Sequence, residues 1–327
     1  MKILVIGSGA FGTALATTLA KKTANVCLWV PNEELKSSIK LTKKNEKYLP
    51  GIKLSQNLNV CSNLESISET ANIIMLCLPA QITKPFLEER KHFFSKNATF
   101  ILCSKGIDAK SMEVQSDALR SVLPDQNYAI LSGPGFADEI AQGLPTALVI
   151  AHSDIKNATL LQKLLSTKTL RLYTSMDPLG VQLGGSLKNV IAIGCGISTG
   201  LNLGESARIS LMIRGFTEIC TFAEKLGAQK RTLYGLSGFG DLSLTCNSPK
   251  SRNFIMGLNT TMSNFSSDDV STKPTVEGVK TAEAVLRIAK KLTIEMPVIS
   301  TISKIINKEI DPEDATEILL SRPLKME

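Results

Sequence analysis

The 327-residue chain has two histidines, one tryptophan and four tyrosines, and aromatic residues make up only 5% of it. A histidine-built metal centre is therefore not expected, and no aromatic side chains interleave with basic clusters as a nucleic-acid surface would require. The seven cysteines, Cys27, Cys61, Cys77, Cys103, Cys195, Cys220 and Cys246, are odd in number and contain no C-x-x-C pair. That spacing suits neither a disulfide framework nor a zinc site. Most lie in apolar runs such as Ile74-Met75-Leu76-Cys77-Leu78 and read as small core residues of a reduced, cytoplasmic protein. No apolar run approaches the roughly 18 residues of a membrane helix, so no integral membrane segment is expected. Three glycines interrupt the N-terminal apolar stretch, which argues against a signal peptide.

What is present describes an ordinary globule: 43% hydrophobic and 20% charged residues, with a net charge of +7. The lysines are dispersed among Glu and Ser, which favours small anionic ligands over nucleic acid. In the first half, apolar strands at 2–6, 25–30, 72–78, 98–103, 128–132 and 146–151 alternate with helical stretches near 12–22, 32–44, 64–70, 81–94, 111–122 and 136–142. The alternation predicts an α/β fold, a Rossmann-type doubly wound and mostly parallel sheet over 1–177. Beyond it, long helical periods at 180–199, 205–227, 251–263, 275–291, 296–309 and near 312–320 predict an all-α domain over 178–327. The polar segment 263–273 reads as a surface loop. Ligands of such sheets bind outside the carboxyl ends of the strands, here residues 6–12, 31–33, 79–81, 103–107 and 132–137.

The strand Lys2-Ile3-Leu4-Val5-Ile6 runs into Gly7-Ser8-Gly9-Ala10-Phe11-Gly12 and then a helical pattern. G-x-G-x-x-G alone is weak, but between strand and helix it reads as a dinucleotide turn. Gly7 permits the tight turn, Gly9 lets backbone approach a pyrophosphate, and Gly12 lets helix pack on strand. A Gly-rich turn that binds nothing is the plain alternative.

A Rossmann oxidoreductase needs a proton carrier where an alcohol becomes a carbonyl. Both His92, at a helix end, and His152, after a strand, read as surface residues, which leaves lysine. Lys105 follows a strand end in Cys103-Ser104-Lys105-Gly106. Lys188 stands with Asn189 in an otherwise small and apolar segment, Gly184-Gly185-Ser186-Leu187-Lys188-Asn189-Val190-Ile191-Ala192, where a lysine is costly unless used. The bland reading is a lysine whose stem lies along the helix. Farther on, Ser251 suits a helix N-cap with Arg252 and Asn253 in the first turn. A cation there opposes the helix dipole, and a bound phosphate would resolve the conflict; a capped helix with a solvated Arg is the alternative.

Together these segments resemble the NAD(P)-dependent glycerol-3-phosphate dehydrogenases of the bacterial type. The likeness covers nearly the whole chain and includes Tyr48-Leu49-Pro50, Ser104-Lys105-Gly106-Ile107, Leu131-Ser132-Gly133-Pro134, Gly143-Leu144-Pro145-Thr146-Ala147, the Lys188 segment, Gly240-Asp241, Leu244-Thr245-Cys246, Ser251-Arg252-Asn253 and Val276-Glu277-Gly278-Val279. The resemblance implies hydride transfer between sn-glycerol 3-phosphate and dihydroxyacetone phosphate with NAD(H) or NADP(H), in a cytoplasmic homodimer that supplies phospholipid synthesis. It makes Lys188 the proton donor and acceptor and Lys105 the holder of the substrate C2 oxygen, with Asn189, Asp241 and Thr245 orienting them. Gly133, Gly135, Ser251, Arg252 and Asn253 join Lys105, Lys188 and Asp241 in binding substrate. Gly7, Gly9, Ala10, Phe11, Gly12, Asn32, Tyr48, Lys105, Ala137, Arg252 and Glu277 fall to the cofactor, and no metal is implied.

Three departures stand out. Ala10-Phe11 replaces the family's usual Ser-Trp, and Gly135 stands where Ser is frequent. Pro31-Asn32-Glu33 offers no Arg for a ribose 2′-phosphate, and Glu33 would repel one, so NADH is expected to serve at least as well as NADPH. Lys36 or Lys40 could counter that argument. Competing readings are a β-hydroxyacid or 6-phosphogluconate-type dehydrogenase, and a non-catalytic NADH-sensing module.

Overall fold

A computed structural model describes residues 1–262 and 276–315. The chain divides into two compact units, one of residues 1–105 and 113–182, the other of 106–112 and 183–327.

The first unit is built on an eight-stranded sheet. Its strands are β1 (Ile3–Ile6), β2 (Val26–Trp29), β5 (Asn59–Cys61), β6 (Ile73–Leu76), β7 (Thr99–Leu102), β8 (Tyr128–Ser132), β9 (Thr146–Ala151) and β10 (Leu170–Ser175). They lie in the order β10-β9-β8-β7-β6-β1-β2-β5, and every pairing is parallel except β8 with β9. The inner strands β1 and β6 are buried throughout, as a sheet covered on both faces requires. A two-stranded ribbon of β3 (Lys44–Asn45) and β4 (Leu49–Lys53) stands beside it.

Helix α1 (Ala10–Ala20) is buried over nearly its whole length. Its Leu15 and Leu19 join Ile3, Val5, Met75, Ile101 and Leu131 in one hydrophobic cluster. The remaining helices of this unit are α2 (Glu33–Thr42), α3 (Glu65–Ser68), α4 (Ala80–Arg90), α5 (Gln115–Val122), α6 (Ala137–Gln142) and α7 (Ile155–Leu165).

The sequence pattern misses several of these elements. β5 is a three-residue edge strand with no buried residue, and β10 alternates buried and exposed positions at the opposite edge. α7 and the β3–β4 ribbon were likewise not expected. The helix expected from 111 begins only at Gln115. Asp108 Oδ1 accepts the backbone N–H groups of Lys110 and Ser111 at 3.1 and 2.6 Å, and Met112 is left-handed at φ 60°. That turn captures the backbone before a helix can start. His152 is not a surface residue: it is 5% exposed, facing Asn127 Oδ1 through Nε2 at 2.8 Å and accepting the Asp154 N–H at Nδ1 at 2.8 Å.

The second unit is helical. Helix α8 (Pro178–Gly200) leads into it, followed by α9 (Glu205–Lys225), α10 (Lys230–Leu233), a π-helical turn at Leu236–Gly240, α11 (Asp241–Cys246) and α12 (Arg252–Asn259). Helices Glu277–Lys291 and Pro297–Ile306 complete the described part. The glycines of α8 let other backbones approach: a Cβ on Gly196 would run into the Phe254 carbonyl, and one on Gly257 of α12 into that of Ile193. The small, apolar character of this segment is thus a packing requirement. The expected loop at 263–273 lies outside the described residues, as does most of the helix expected near 312–320. Among the described residues, no helix is long and apolar enough to cross a membrane.

Candidate active site

In the first unit, residues 6–12, 31–33, 79–81, 103–105 and 132–137 follow the carboxyl ends of β1, β2, β6, β7 and β8, five strands that run parallel. Gly7 has φ +116°, and a Cβ there would stand 2.6 Å from the Cys77 carbonyl oxygen. A Cβ on Gly12 would strike the Gly7 carbonyl, whereas one on Gly9 would meet nothing within 4 Å. Two glycines therefore shape the turn, and the third leaves open space in front of α1. Gly9 is the N-cap of α1, no side chain caps the helix, and its first turn holds no acidic residue. The free N–H groups and positive dipole end suit a pyrophosphate, so the residues present fit a dinucleotide.

Asn45 braces this turn and was not anticipated from sequence. It is fully buried, and its Nδ2 donates to the Ser8 carbonyl at 2.9 Å and to Thr13 Oγ1 at 2.8 Å. It sits in a polar lysine-rich stretch with no motif to mark it. Lys105 Nζ donates to the Gly133 carbonyl at 2.9 Å and lies 5.8 Å from the Phe11 ring centroid. The structure thus brings Phe11, Lys105 and Gly133 together. Gly133 has φ +140°, and a Cβ on Gly135 would come within 3.0 Å of Thr146 Cγ2. A serine at 135 would crowd β9, which accounts for glycine there. Ala137 opens α6, and it and Ala10 are both partly buried against the same hydrophobic cluster.

At the end of β2, Asn32 is engaged as the N-cap of α2, accepting from the Leu35 N–H at 2.7 Å. Glu33 forms an ion pair with Lys36, which also donates to Ser62 Oγ at 2.8 Å. The Lys36 ammonium holds the Glu33 carboxyl below the usual carboxylate range. Tyr48 lies in the turn between β3 and β4, 41% exposed under Lys47.

In the second unit, Lys188 is 7% exposed and donates to Asp241 Oδ1 and to Thr245 Oγ1, each at 2.6 Å. Asp241 and Thr245 are one helical turn apart on α11, and Thr245 Oγ1 donates back to the Asp241 carbonyl at 2.6 Å. The hydroxyl hydrogen is thereby committed, which turns the Thr245 lone pairs toward the ammonium. Asn189, next on α8, accepts from Asn253 Nδ2 at 3.1 Å, and Asn253 Oδ1 accepts the Gly278 N–H at 3.1 Å. A Cβ on Gly278 would lie 2.7 Å from the Asn189 carbonyl, so only glycine lets Glu277–Lys291 approach this closely. Ser251 caps α12 by accepting the Phe254 N–H at 3.2 Å; Arg252 is exposed in its first turn, which has no acidic residue. Glu277 opens the neighbouring helix. Lys188, Asp241 and Thr245 thus form one polar group between α8 and α11, and Asn189, Asn253 and the Gly278 N–H a second between α8, α12 and Glu277–Lys291.

A buried ammonium held by a carboxylate and a hydroxyl can give a proton to an oxygen placed before it. A helix start that carries an arginine and keeps further N–H groups beyond its cap can take a phosphate. Among the described residues no His/Cys/Asp/Glu group could hold a metal ion.

Comparison with known proteins places both halves. Residues 2–158 match the family model for the NAD-dependent glycerol-3-phosphate dehydrogenase N-terminus, and residues 177–317 the model for its C-terminus. The chain is 44% identical over 327 residues to glycerol-3-phosphate dehydrogenase [NAD(P)+] of Paracoccus denitrificans and 41% identical over 329 residues to that of Maridesulfovibrio salexigens, with 100% of each chain covered. It is also similar to the crystal structure of glycerol-3-phosphate dehydrogenase from Coxiella burnetii, at TM-score 0.92 and 32% identity, covering 98% of this chain and 99% of that one.

Proposed function

The chain belongs to the NAD-dependent glycerol-3-phosphate dehydrogenase family, and from that membership we propose how its residues divide the work of an NAD(P)-dependent oxidoreductase. It interconverts sn-glycerol 3-phosphate and dihydroxyacetone phosphate. The dinucleotide, when bound, supplies or receives the hydride. The observation that carries the assignment of roles is the buried Lys188, bonded to Asp241 and Thr245 at 2.6 Å each.

In the direction of reduction, Lys188 gives its proton to the C2 oxygen of dihydroxyacetone phosphate. Asp241 and Thr245 fix the direction of the Nζ–H bonds, so the proton is aimed before the substrate arrives. Lys105 adds a second cation that stabilises negative charge developing on that oxygen. Arg252, with the free N–H groups at the start of α12, takes the phosphate. Asn253 acts through Asn189 and Gly278 rather than by a free amide alone. Gly7, Gly9, Ala10, Phe11 and Gly12 hold the pyrophosphate, with Ala137 and Glu277 lining the cofactor and Asn32 and Tyr48 toward its adenosine end.

The division of labour follows the chain: 1–177 for the dinucleotide and 178–327 for substrate. Residues 106–112 cluster with the second unit, so the chain passes from one unit to the other three times, after residues 105, 112 and 182. NADH serves at least as well as NADPH, because no arginine stands at 31–33; the Lys36 pairing of Glu33 tempers the repulsion that Glu33 would exert alone. The enzyme works in the cytoplasm as a homodimer and supplies glycerol 3-phosphate for phospholipid synthesis. Family membership across both halves favours this reading over a β-hydroxyacid or 6-phosphogluconate-type dehydrogenase and over an NADH sensor. Consumption of NADH or NADPH on adding dihydroxyacetone phosphate tests it. Turnover with either cofactor is expected, and absence of turnover in folded, cofactor-binding protein would refute it.

A further inference from the structure

Two cysteines that look like unrelated core residues in the sequence become neighbours in the sheet. Leu76 of β6 pairs with Leu102 of β7 in parallel register, and the ladder continues one residue further: the Cys77 N–H donates to the Ile6 carbonyl at 2.8 Å and the Cys103 N–H to the Leu76 carbonyl at 2.9 Å. Cys77 and Cys103 therefore stand side by side on the face that packs against α1. The Cys103 thiol donates to the Ile101 carbonyl at 3.6 Å, two residues back on its own strand. Neighbouring strands lie about 4.8 Å apart, inside the range of roughly 4.4–6.8 Å between the Cα atoms of a disulfide. Cys103 is buried and Cys77 half-buried, so an oxidant reaches the pair through Cys77.

The pair lies directly against the glycine turn. A Cβ on Gly7 would come 3.3 Å from Cys77 Cβ, and one on Gly12 would come 3.1 Å from it. Nothing but glycine fits between Cys77 and either position, so a movement of the Cys77 side chain is felt by the turn. We propose that Cys77 and Cys103 are an oxidisable dithiol, and that their disulfide weakens dinucleotide binding at the adjacent turn.

The chemistry closes with a peroxide as oxidant. The Cys77 thiolate attacks one oxygen of hydrogen peroxide, the O–O bond breaks, and Cys77 becomes a sulfenic acid as hydroxide leaves. The Cys103 sulfur then displaces the sulfenic oxygen, which departs as water with the Cys103 proton. In sum, two thiols and one peroxide give one disulfide and two waters. Burial pushes the Cys103 thiol up, so Cys103 loses its proton only as it attacks, and the less buried Cys77 is the sulfur that meets the peroxide first. The neighbouring pair Cys27 and Cys61 offers an internal comparison. They are placed two residues apart in the β2–β5 register, where Cys27 pairs with Asn59 and Trp29 with Cys61. These two thiols also lie within reach of one another, so the peptide map must show which pair closes.

The effect on binding rests on the reading of Gly7–Gly12 as the dinucleotide turn, whereas formation of the disulfide does not. The full-length protein is treated with hydrogen peroxide with and without NADH, alkylated and mapped by peptide mass spectrometry, and NADH binding is measured before oxidation, after it, and after dithiothreitol. The expected product is one peptide pair joined through Cys77 and Cys103, formed more slowly when NADH is present. NADH binding should weaken by roughly tenfold or more, the loss of about one charge-assisted hydrogen bond, and return on reduction. In Cys103→Ser the cross-link should vanish and a sulfenic-acid trap should label Cys77. Thiols that stay free, or a disulfide confined to other cysteines, would overturn the dithiol. A Cys77–Cys103 bond with unchanged NADH affinity would overturn its coupling to the turn. Failure of the untreated protein to bind NADH would instead overturn the assignment of the turn, and the peptide map would still decide the dithiol.

Discussion

Replacing Asp241 by Asn probes the Lys188 cluster most sharply. The substitution keeps the shape of the side chain and one acceptor oxygen but removes the charge. Lys188 Nζ and Asp241 Oδ1 are 2.6 Å apart, with the side chains 8% and 1% exposed. At an effective dielectric of 20 the pair attracts by about 6 kcal/mol, a gross value that the cost of desolvating both groups largely cancels. Removing one partner leaves the other charge buried without this counter-ion, and such losses run at about 3–5 kcal/mol. Against a typical stability of about 5–15 kcal/mol, that is a large fraction. Asp241→Asn should therefore lower the urea midpoint markedly in equilibrium unfolding followed by circular dichroism. Lys188→Met alone should also destabilise. The double variant should recover much of either loss, because no buried charge then remains unmatched. A coupling energy above about 1 kcal/mol in this double-mutant cycle is the predicted signature. Losses that simply add would refute the argument that the two charges stabilise one another.

Other perturbations separate packing from binding and charge. Gly9→Ala adds a methyl group that meets no atom, so the melting temperature should hold while NADH affinity falls; Gly12→Ala drives a Cβ into the Gly7 carbonyl and should damage folding as well. An equal loss of stability in both would contradict the reading of the turn. Burial holds the His152 imidazole below its ordinary value near 6.5, so the unfolded chain takes up a proton there before the folded one does. The stability from neutral His152 is present above about pH 6.5 and is lost as pH falls through the lower folded value, whereas His152→Gln should flatten that slope between about pH 7 and 5. Identical pH profiles of unfolding for the two proteins would count against it. Glu33→Gln leaves Lys36 without its ion-pair partner and should raise the kcat/KM ratio of NADPH to NADH several-fold; an unchanged ratio would remove Glu33 from the specificity argument.

What could be read along the chain was whatever local pattern dictates. β1 followed by Gly7-Ser8-Gly9-Ala10-Phe11-Gly12 announces both an element and a ligand, because turn, close approach and packing each demand glycine at a fixed offset. The inner strands are legible as continuous apolar runs, since burial on both faces removes alternation. Edge strands escaped for the converse reason: β5 buries nothing completely, and β10 buries only one side. The roles of Asn45, Asn253 and the Cys77–Cys103 pair were not legible, because each depends on strand register or helix approach between segments far apart in sequence. Asn253 stood out as a phosphate contact by position, yet its amide is engaged with Asn189 and Gly278. His152 reads as a surface residue because a single position after a strand carries no sign of the Asn127 and Asp154 groups that engage its ring.

Lys188→Ala tests the central claim. NADH affinity and turnover of dihydroxyacetone phosphate should be measured on the same preparation, with folding verified by circular dichroism. Loss of the proton donor predicts a fall in kcat of about 10²–10⁴-fold with cofactor affinity essentially retained. Turnover within a few-fold of the parent protein would contradict the role given to Lys188.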